Sequence, residues 1–325
     1  MRILTEADMA ALLPMPEAIA VVDRAMRAVS AGGAELPLRN VVPVGGDNFM
    51  GVMPGALDDP LCYGVKLVSL FPGNPARGLS SHRGAMVLFE AETGGVVAMM
   101  DAGLLTAIRT AAASGVATRA LAREEASHLA LIGYGEQAEH HLEAMLAVRP
   151  ITHVHVAGRD AARAHAFARH AAARHPGLAF ETGRDIRAAV EGADIVCTVT
   201  AAPRPVLEGA WLRPGQHLNV VGASIPSKRE VDDRAVLRAR IFVDYRPSTF
   251  VQAGEIVDMI AAGTIDETHV RAEIGEVLSG DAPGRESDAE ITLYRSLGIA
   301  AQDLAAAQHV LEAARARGIG TEVAL

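Results

Sequence analysis

The spacing of apolar residues changes period along this chain, and each change marks a new kind of element. Near the start the spacing is helical. Thr5 can cap a short helix that Pro14 stops, and Pro16 opens a second in which Ile19, Val22, Met26 and Val29 share one face. Gly32-Gly33 ends it. From Leu36 to Met100 the apolar residues fall into short β-like runs, Phe49–Met53, Tyr63–Leu70, Met86–Ala91 and Val96–Met100, set apart by Gly and Pro turns. They predict a mostly antiparallel sheet. An Ala-rich helix is expected from Asp101 to Leu121. Beyond it the rhythm becomes strand, helix, strand. Strands are expected at Leu129–Ile132, Thr152–Val156, Ile195–Thr200, His217–Val221 and Ile241–Val243, and helices at Asp160–Arg174, Asp232–Leu237 and Phe250–Ala262. Such alternation builds a parallel sheet covered by helices. A last helix runs from Gln302 to Arg317.

The fold class is therefore α/β: a Rossmann-like, doubly wound parallel sheet over residues 122–298, and an α+β domain over 1–121 to which 299–325 returns. The chain has 325 residues, which fits two domains of ~100–200 residues each.

The stretch Leu129-Ala-Leu-Ile-Gly-Tyr-Gly-Glu-Gln-Ala138 organises the second domain. Four apolar residues form a buried strand, and a helical face (Ala138, Leu142, Met145, Leu146) follows the glycines. Gly133 permits a sharp turn, Gly135 lets the backbone approach a pyrophosphate, and Ala138 keeps the helix close to the strand. The free N–H groups and positive dipole end of that helix suit phosphate. A glycine turn that binds nothing is the rival explanation. After the second strand of this domain, Arg159 precedes Asp160. An acid there accepts the ribose hydroxyls of NAD, and an arginine holds the extra phosphate of NADP. Helix capping explains Asp160 equally well, and the pair leans towards NADPH. Val221 and Ser224 lie just past the end of another strand, on the edge that faces the ligand crevice of an open sheet. Ser224 can bond a substrate nitrogen or the nicotinamide, or simply cap a turn before Pro226.

Three cations in the first domain interrupt apolar surroundings: Arg39, Lys66 and Arg109. Buried cations need partners. They form either a carboxylate pocket, to which arginine brings its two-toothed fork, or separate ion pairs. His82 lies in a turn-rich stretch and can contact a nicotinamide. The remaining histidines, including His140, His141, His153, His155, His165, His170 and His175, form no metal-ligand spacing and read mostly as surface residues, so no metal is expected. Trp211 is expected to pack under a loop.

Half the chain is hydrophobic but only 4% is aromatic, so the core is built of Ala, Val, Leu, Ile and Met. A net charge of -9 argues against a nucleic-acid or anionic-membrane partner. Cys62 and Cys197 sit in apolar runs and read as buried thiols of a reducing compartment. No apolar run reaches the ~18 residues of a membrane span, and the charged-then-apolar pattern of a leader is not expected ahead of Thr5. The expected location is cytoplasmic.

Tyr63–Leu70, Gly78–Phe89, Leu104–Ser114, Ile132–Ala138, Val221–Asp233 and Gly284–Asp303 together resemble the ornithine cyclodeaminase/mu-crystallin family, in order and over nearly the whole chain. The resemblance implies a Rossmann-like nucleotide domain, a substrate-binding domain that forms a homodimer, and NAD(P)-dependent chemistry on the carbon–nitrogen bond of small amino or imino acids. It places Arg39, Lys66 and Arg109 as carboxylate-binding cations and Ser81, His82 and Thr110 on the cofactor side. Tyr134, Glu136, Gln137, Arg159, Thr200 and Ser296 become the nucleotide cradle. Ornithine cyclodeaminases carry an aspartate where this chain has Ser224. Serine has no useful charge or proton affinity near neutral pH, so the departure makes the chain more similar to ketimine reductases. The expected reaction is reduction of Δ1-pyrroline-2-carboxylate to L-proline, a step of proline metabolism, with piperideine-2-carboxylate next. The alternatives are ornithine cyclodeaminase, alanine dehydrogenase, an open-chain imino-acid reductase, a non-catalytic NADP-dependent binding protein like mu-crystallin, or an interaction protein with a vestigial glycine loop.

Overall fold

In the computed structural model, which describes residues 1–324, β1 (Arg2–Leu4) leads into α1 (Glu6–Leu12) and α2 (Met15–Ser30). Thr5 and Asp8 form a reciprocal capping box on α1, and α2 buries Ile19, Val22, Met26 and Val29 along one face. Then come β2 (Ala34–Glu35), β3 (Asn40–Gly45), β4 (Asn48–Asp58), β5 (Leu61–Leu70), β6 (His82–Phe89), β7 (Val96–Asp101) and α3 (Ala102–Leu121). Neighbours from β4 to β7 pair antiparallel, as the alternation predicts. β1 joins β7 in parallel, which makes the sheet mixed.

The strand–helix alternation gives β8 (His128–Ile132), α4 (Glu136–Val148), β9 (His153–Ala157), α5 (Ala161–Arg174), β10 (Ala179–Gly183), α6 (Ile186–Gly192), β11 (Ile195–Thr198) and β12 (His217–Val220). It continues through α7 (Asp233–Arg238), β13 (Arg240–Val243), α8 (Arg246–Gln252), α9 (Gly254–Ala261), β14 (Val270–Glu273), α10 (Ile274–Ser279) and β15 (Thr292–Arg295). Every pairing of this sheet among the described residues is parallel, in the order β10-β9-β8-β11-β12-β15-β13-β14. The order reverses between β8 and β11, and the glycine stretch leaves β8 at that crevice. The single helix expected over Phe250–Ala262 is two helices that meet at Ala253. β15 was hidden from periodicity because its four residues are all buried, polar Thr292 and Arg295 included.

α11 (Ala300–Arg317) and β16 (Thr321–Glu322) complete the chain. Two compact units result: Met1–Ala112 with the chain from Ile299 onward, and Ala113–Gly298. The division falls within α3 rather than at its end near Leu121. In the first unit α11 lies against β4 so closely that a Cβ on Gly55 would meet Ala300 at 3.1 Å. The alanines of α11 allow that approach. No helix among the described residues is long and apolar enough to cross a membrane.

Candidate active site

Period-two alternation decides where Lys66 goes. Cys62, Gly64 and Lys66 are the buried residues of β5, so the lysine points to the covered face with them. Its cross-strand neighbours are Met53 and Met86, both buried. Lys66 is 1% exposed, and its Nζ lies 2.8 Å from Oδ2 of Asp303, which is fully buried in the first turn of α11. Arg109, on the buried middle of α3, sends Nε to the other oxygen of Asp303 at 2.8 Å and an Nη to Oε1 of Gln302 at 2.8 Å. Two buried cations thus share one carboxylate. Arg39, partly buried, contributes further positive charge at Lys66 and His82.

The electrostatics follow from that crowding. Burial first, then the charge of Arg109, pulls the Lys66 ammonium down to about 7, against the upward pull of Asp303. Asp303 is held below the usual carboxylate range: burial raises its proton affinity, but Arg109 and Lys66 outweigh it. His82 opens β6 rather than sitting in a turn. Burial, with Lys66, Arg109 and Arg39 adding to it, pushes its imidazole down to about 4, and Nδ1 lies 3.0 Å from Oγ of Ser81. Near pH 7 this ring is neutral and Lys66 is the group poised to exchange a proton. Thr110 follows Arg109 and is buried.

Asp303 was not among the residues singled out from sequence. The signal was present, because Ala300-Ala-Gln-Asp-Leu-Ala-Ala-Ala307 places an acid in apolar context as surely as α3 places Arg109. An acid buried in an apolar helix needs a partner as much as a buried cation does.

In the other unit the glycine stretch takes the expected form. Gly133 has φ +116°, and a Cβ there would lie 2.8 Å from the Val199 carbonyl oxygen. Gly135 is the N-cap of α4 without a side-chain cap, and a Cβ on it would meet nothing within 4 Å. Uncapped N–H groups facing open space fit a phosphate. Ala138 is fully buried. Oγ of Ser296 and Oε1 of Gln137 are buried with no hydrogen-bond partner, which also fits a polar ligand. Glu136 opens the helix and is exposed. Gly133→Ala is expected to cost about 1–3 kcal/mol of stability from the forced backbone conformation alone, and to abolish coenzyme binding. A thermal melt and a dinucleotide fluorescence titration read the two effects.

Other cradle candidates have partners of their own. The Tyr134 ring underlies Gly158, its hydroxyl accepts from the Asp160 N–H at 2.9 Å, and the Arg163 guanidinium lies 5.1 Å from its centroid. Asp160 caps α5 through Oδ1, which bears out its plain explanation. Arg159 is exposed on the same turn. Thr200 gives both its N–H and its hydroxyl to Glu230. Val221 is buried and Ser224 partly so. Among the histidines read as surface residues, His141 is fully buried between the Gln137 carbonyl, 2.7 Å from Nδ1, and Ser114 Oγ, 3.0 Å from Nε2. The helical face carrying Leu142 and Met145 is wide enough to include it.

The family model described as "Ornithine cyclodeaminase/mu-crystallin family" matches residues 1–318. Among solved structures, the chain is similar to the Δ1-pyrroline-2-carboxylate reductase of Thermococcus litoralis in complex with NADH and L-proline. The TM-score is 0.96 at 36% identity, covering 99% of this chain and 100% of that one. An archaeal alanine dehydrogenase, a dimer with bound NAD, gives 0.93 at 34% identity and covers 100% and 99%. The iminosuccinate reductase of Paracoccus denitrificans, in complex with NAD+, gives 0.91 at 32% and covers 100% and 99%.

Proposed function

The chain belongs to the ornithine cyclodeaminase/mu-crystallin family and is an NAD(P)-dependent oxidoreductase of it, and we propose that its substrate is a small cyclic ketimine carboxylate, Δ1-pyrroline-2-carboxylate before piperideine-2-carboxylate. The observation that carries this reading is the pair Lys66–Arg109 on a single Asp303. One buried carboxylate balances two buried cations, and the remaining positive charge calls for an anionic ligand. The second Nη of Arg109, beyond those bonded to Asp303 and Gln302, and the free N–H positions of Lys66 are the groups that grip it. Arg39 adds charge from a less buried position.

The coenzyme, when bound, supplies a hydride. The protein's own part would be to fix the substrate carboxylate and so restrict how the imine carbon is presented to the hydride donor. A protonated imine is the better hydride acceptor. Lys66, with its proton affinity brought near neutrality, holds a proton at Nζ that can be passed on directly or through a water. His82, neutral at that pH, can only orient. Serine at position 224 leaves no carboxylate to handle a second amine, which favours reduction over cyclodeamination.

Homodimerisation is part of the proposal. β3 is exposed along its whole length, with Val41, Val42 and Val44 uncovered, and the archaeal relative is a dimer. Coenzyme choice is read at Arg159, whose exposed guanidinium suits a 2′-phosphate, whereas the solved relatives hold NADH or NAD+. One assay tests substrate and coenzyme together: oxidation of NADPH and of NADH against pyrroline- and piperideine-carboxylate, pyruvate with ammonia, and iminosuccinate, with ornithine-dependent ammonia release alongside. The cyclic imines are expected to give the highest kcat/KM. Turnover of pyruvate or iminosuccinate at higher kcat/KM would assign the chain to an open-chain reaction.

A further inference from the structure

The geometry points to Glu230 as the positioning residue that fixes the Gly222-Ala223-Ser224 segment, and through it Ser224. Glu230 is fully buried and uses both carboxylate oxygens at the ends of two neighbouring strands. Oε1 accepts from the N–H and hydroxyl of Thr200, each at 2.7 Å, just past β11. Oε2 accepts from the N–H of Gly222 at 2.6 Å, just past β12, and from the Thr198 hydroxyl at 2.9 Å. Its own carbonyl is anchored by the N–H groups of Val206 and Leu207 at 2.8 and 3.1 Å. The two strand ends are drawn so close that a Cβ on Gly222 would fall 2.0 Å from the Thr200 carbonyl oxygen.

The segment is gripped from its other side by a second buried charge. Arg295, fully buried and ion-paired with Glu255, donates to the Ala223 carbonyl at 2.5 Å and to the Val220 carbonyl at 3.3 Å. An acid holds the N–H of Gly222 and a base holds the C=O of Ala223, so the residue that follows, Ser224, starts from a fixed backbone. Four donors meet on the Glu230 carboxylate, and the two buried side chains Glu230 and Arg295 hold adjacent residues of one short segment. Buried polar groups arranged in this way specify one geometry rather than adding stability.

Glu230→Gln isolates the effect. The two backbone N–H groups sit on different oxygens, so whichever oxygen becomes an amide nitrogen faces a donor it cannot accept from. One strand end is therefore released. Resting on the imine-reductase reading, the expected result is a fall in kcat of about tenfold with the coenzyme dissociation constant within about twofold. In the Ser224→Ala background the same change is expected to have no further effect, because Glu230 acts through the segment that carries Ser224 and the two changes then remove one function. Amide exchange at Thr200 or Gly222 is expected to quicken by roughly tenfold in Glu230→Gln. Effects on kcat that multiply in the double variant would overturn the proposal, as would unchanged exchange at both amides. If the unaltered enzyme reduces no imine, the substrate reading fails and exchange alone decides. Should Glu230→Gln not fold, Arg295→Lys, which keeps the charge for Glu255 and loses the arm on Ala223, is read in the same way.

Discussion

Replacing Lys66 by methionine is expected to reduce kcat/KM for imine reduction by roughly a thousandfold, within the 10²–10⁴-fold range of a general acid and with loss of a carboxylate contact besides. Methionine matches the length and apolar stem of lysine and fits between Met53 and Met86. Asp303 keeps Arg109 as its partner. The fold should therefore survive, and coenzyme affinity, measured by fluorescence titration, should stay within about twofold. The pH dependence gives a second reading. Lys66 carries its proton below about 7 and loses it above, so kcat/KM of the unaltered enzyme should fall as pH rises through that value. The variant should lack this limb. Undiminished turnover by Lys66→Met would remove the lysine from the reaction.

Asp303→Asn is expected to be the most destabilising single change in the site. Asparagine has the shape of aspartate but no charge, so Lys66 and Arg109 would stay buried without a counter-ion. Breaking a buried pair by removing one partner costs about 3–5 kcal/mol, which appears as a fall in Tm on the order of 10 °C. Lys66, whose proton affinity burial already lowers, would give up its charge. Asp303 is what raises the lysine's proton affinity, so its loss should move the basic limb of the pH profile to lower pH. Activity at pH 6 would then exceed that at pH 7.5 by a wider margin than in the unaltered enzyme. A variant with the same Tm and the same pH profile would show that the carboxylate neither balances nor tunes these cations.

Much of the coenzyme side was legible in advance because its constraints are local. A strand, a left-handed turn and a helix start lie within ten consecutive residues, and only glycine satisfies the φ of Gly133 against the Val199 carbonyl. The strands of the first unit were legible for a similar reason, since period-two alternation is a property of adjacent residues. Lys66, Arg109 and Arg39 drew notice as charges in apolar runs, though local pattern could not say whether they shared a site or paired separately.

The sequence on its own therefore determined the α/β class, the glycine turn with its helix, and the three cations worth watching, because each is written in neighbouring residues. Tertiary structure alone decided that Asp303, 194 residues beyond Arg109, joins Lys66 and Arg109, and that Glu230 ties Thr200 to Gly222. It also decided that His141 is buried and that β15 slides between β12 and β13. Those outcomes depend on which distant surfaces meet. A side chain's proton affinity and its partners are then set by the charges that arrive from elsewhere in the chain, not by its own neighbours in sequence.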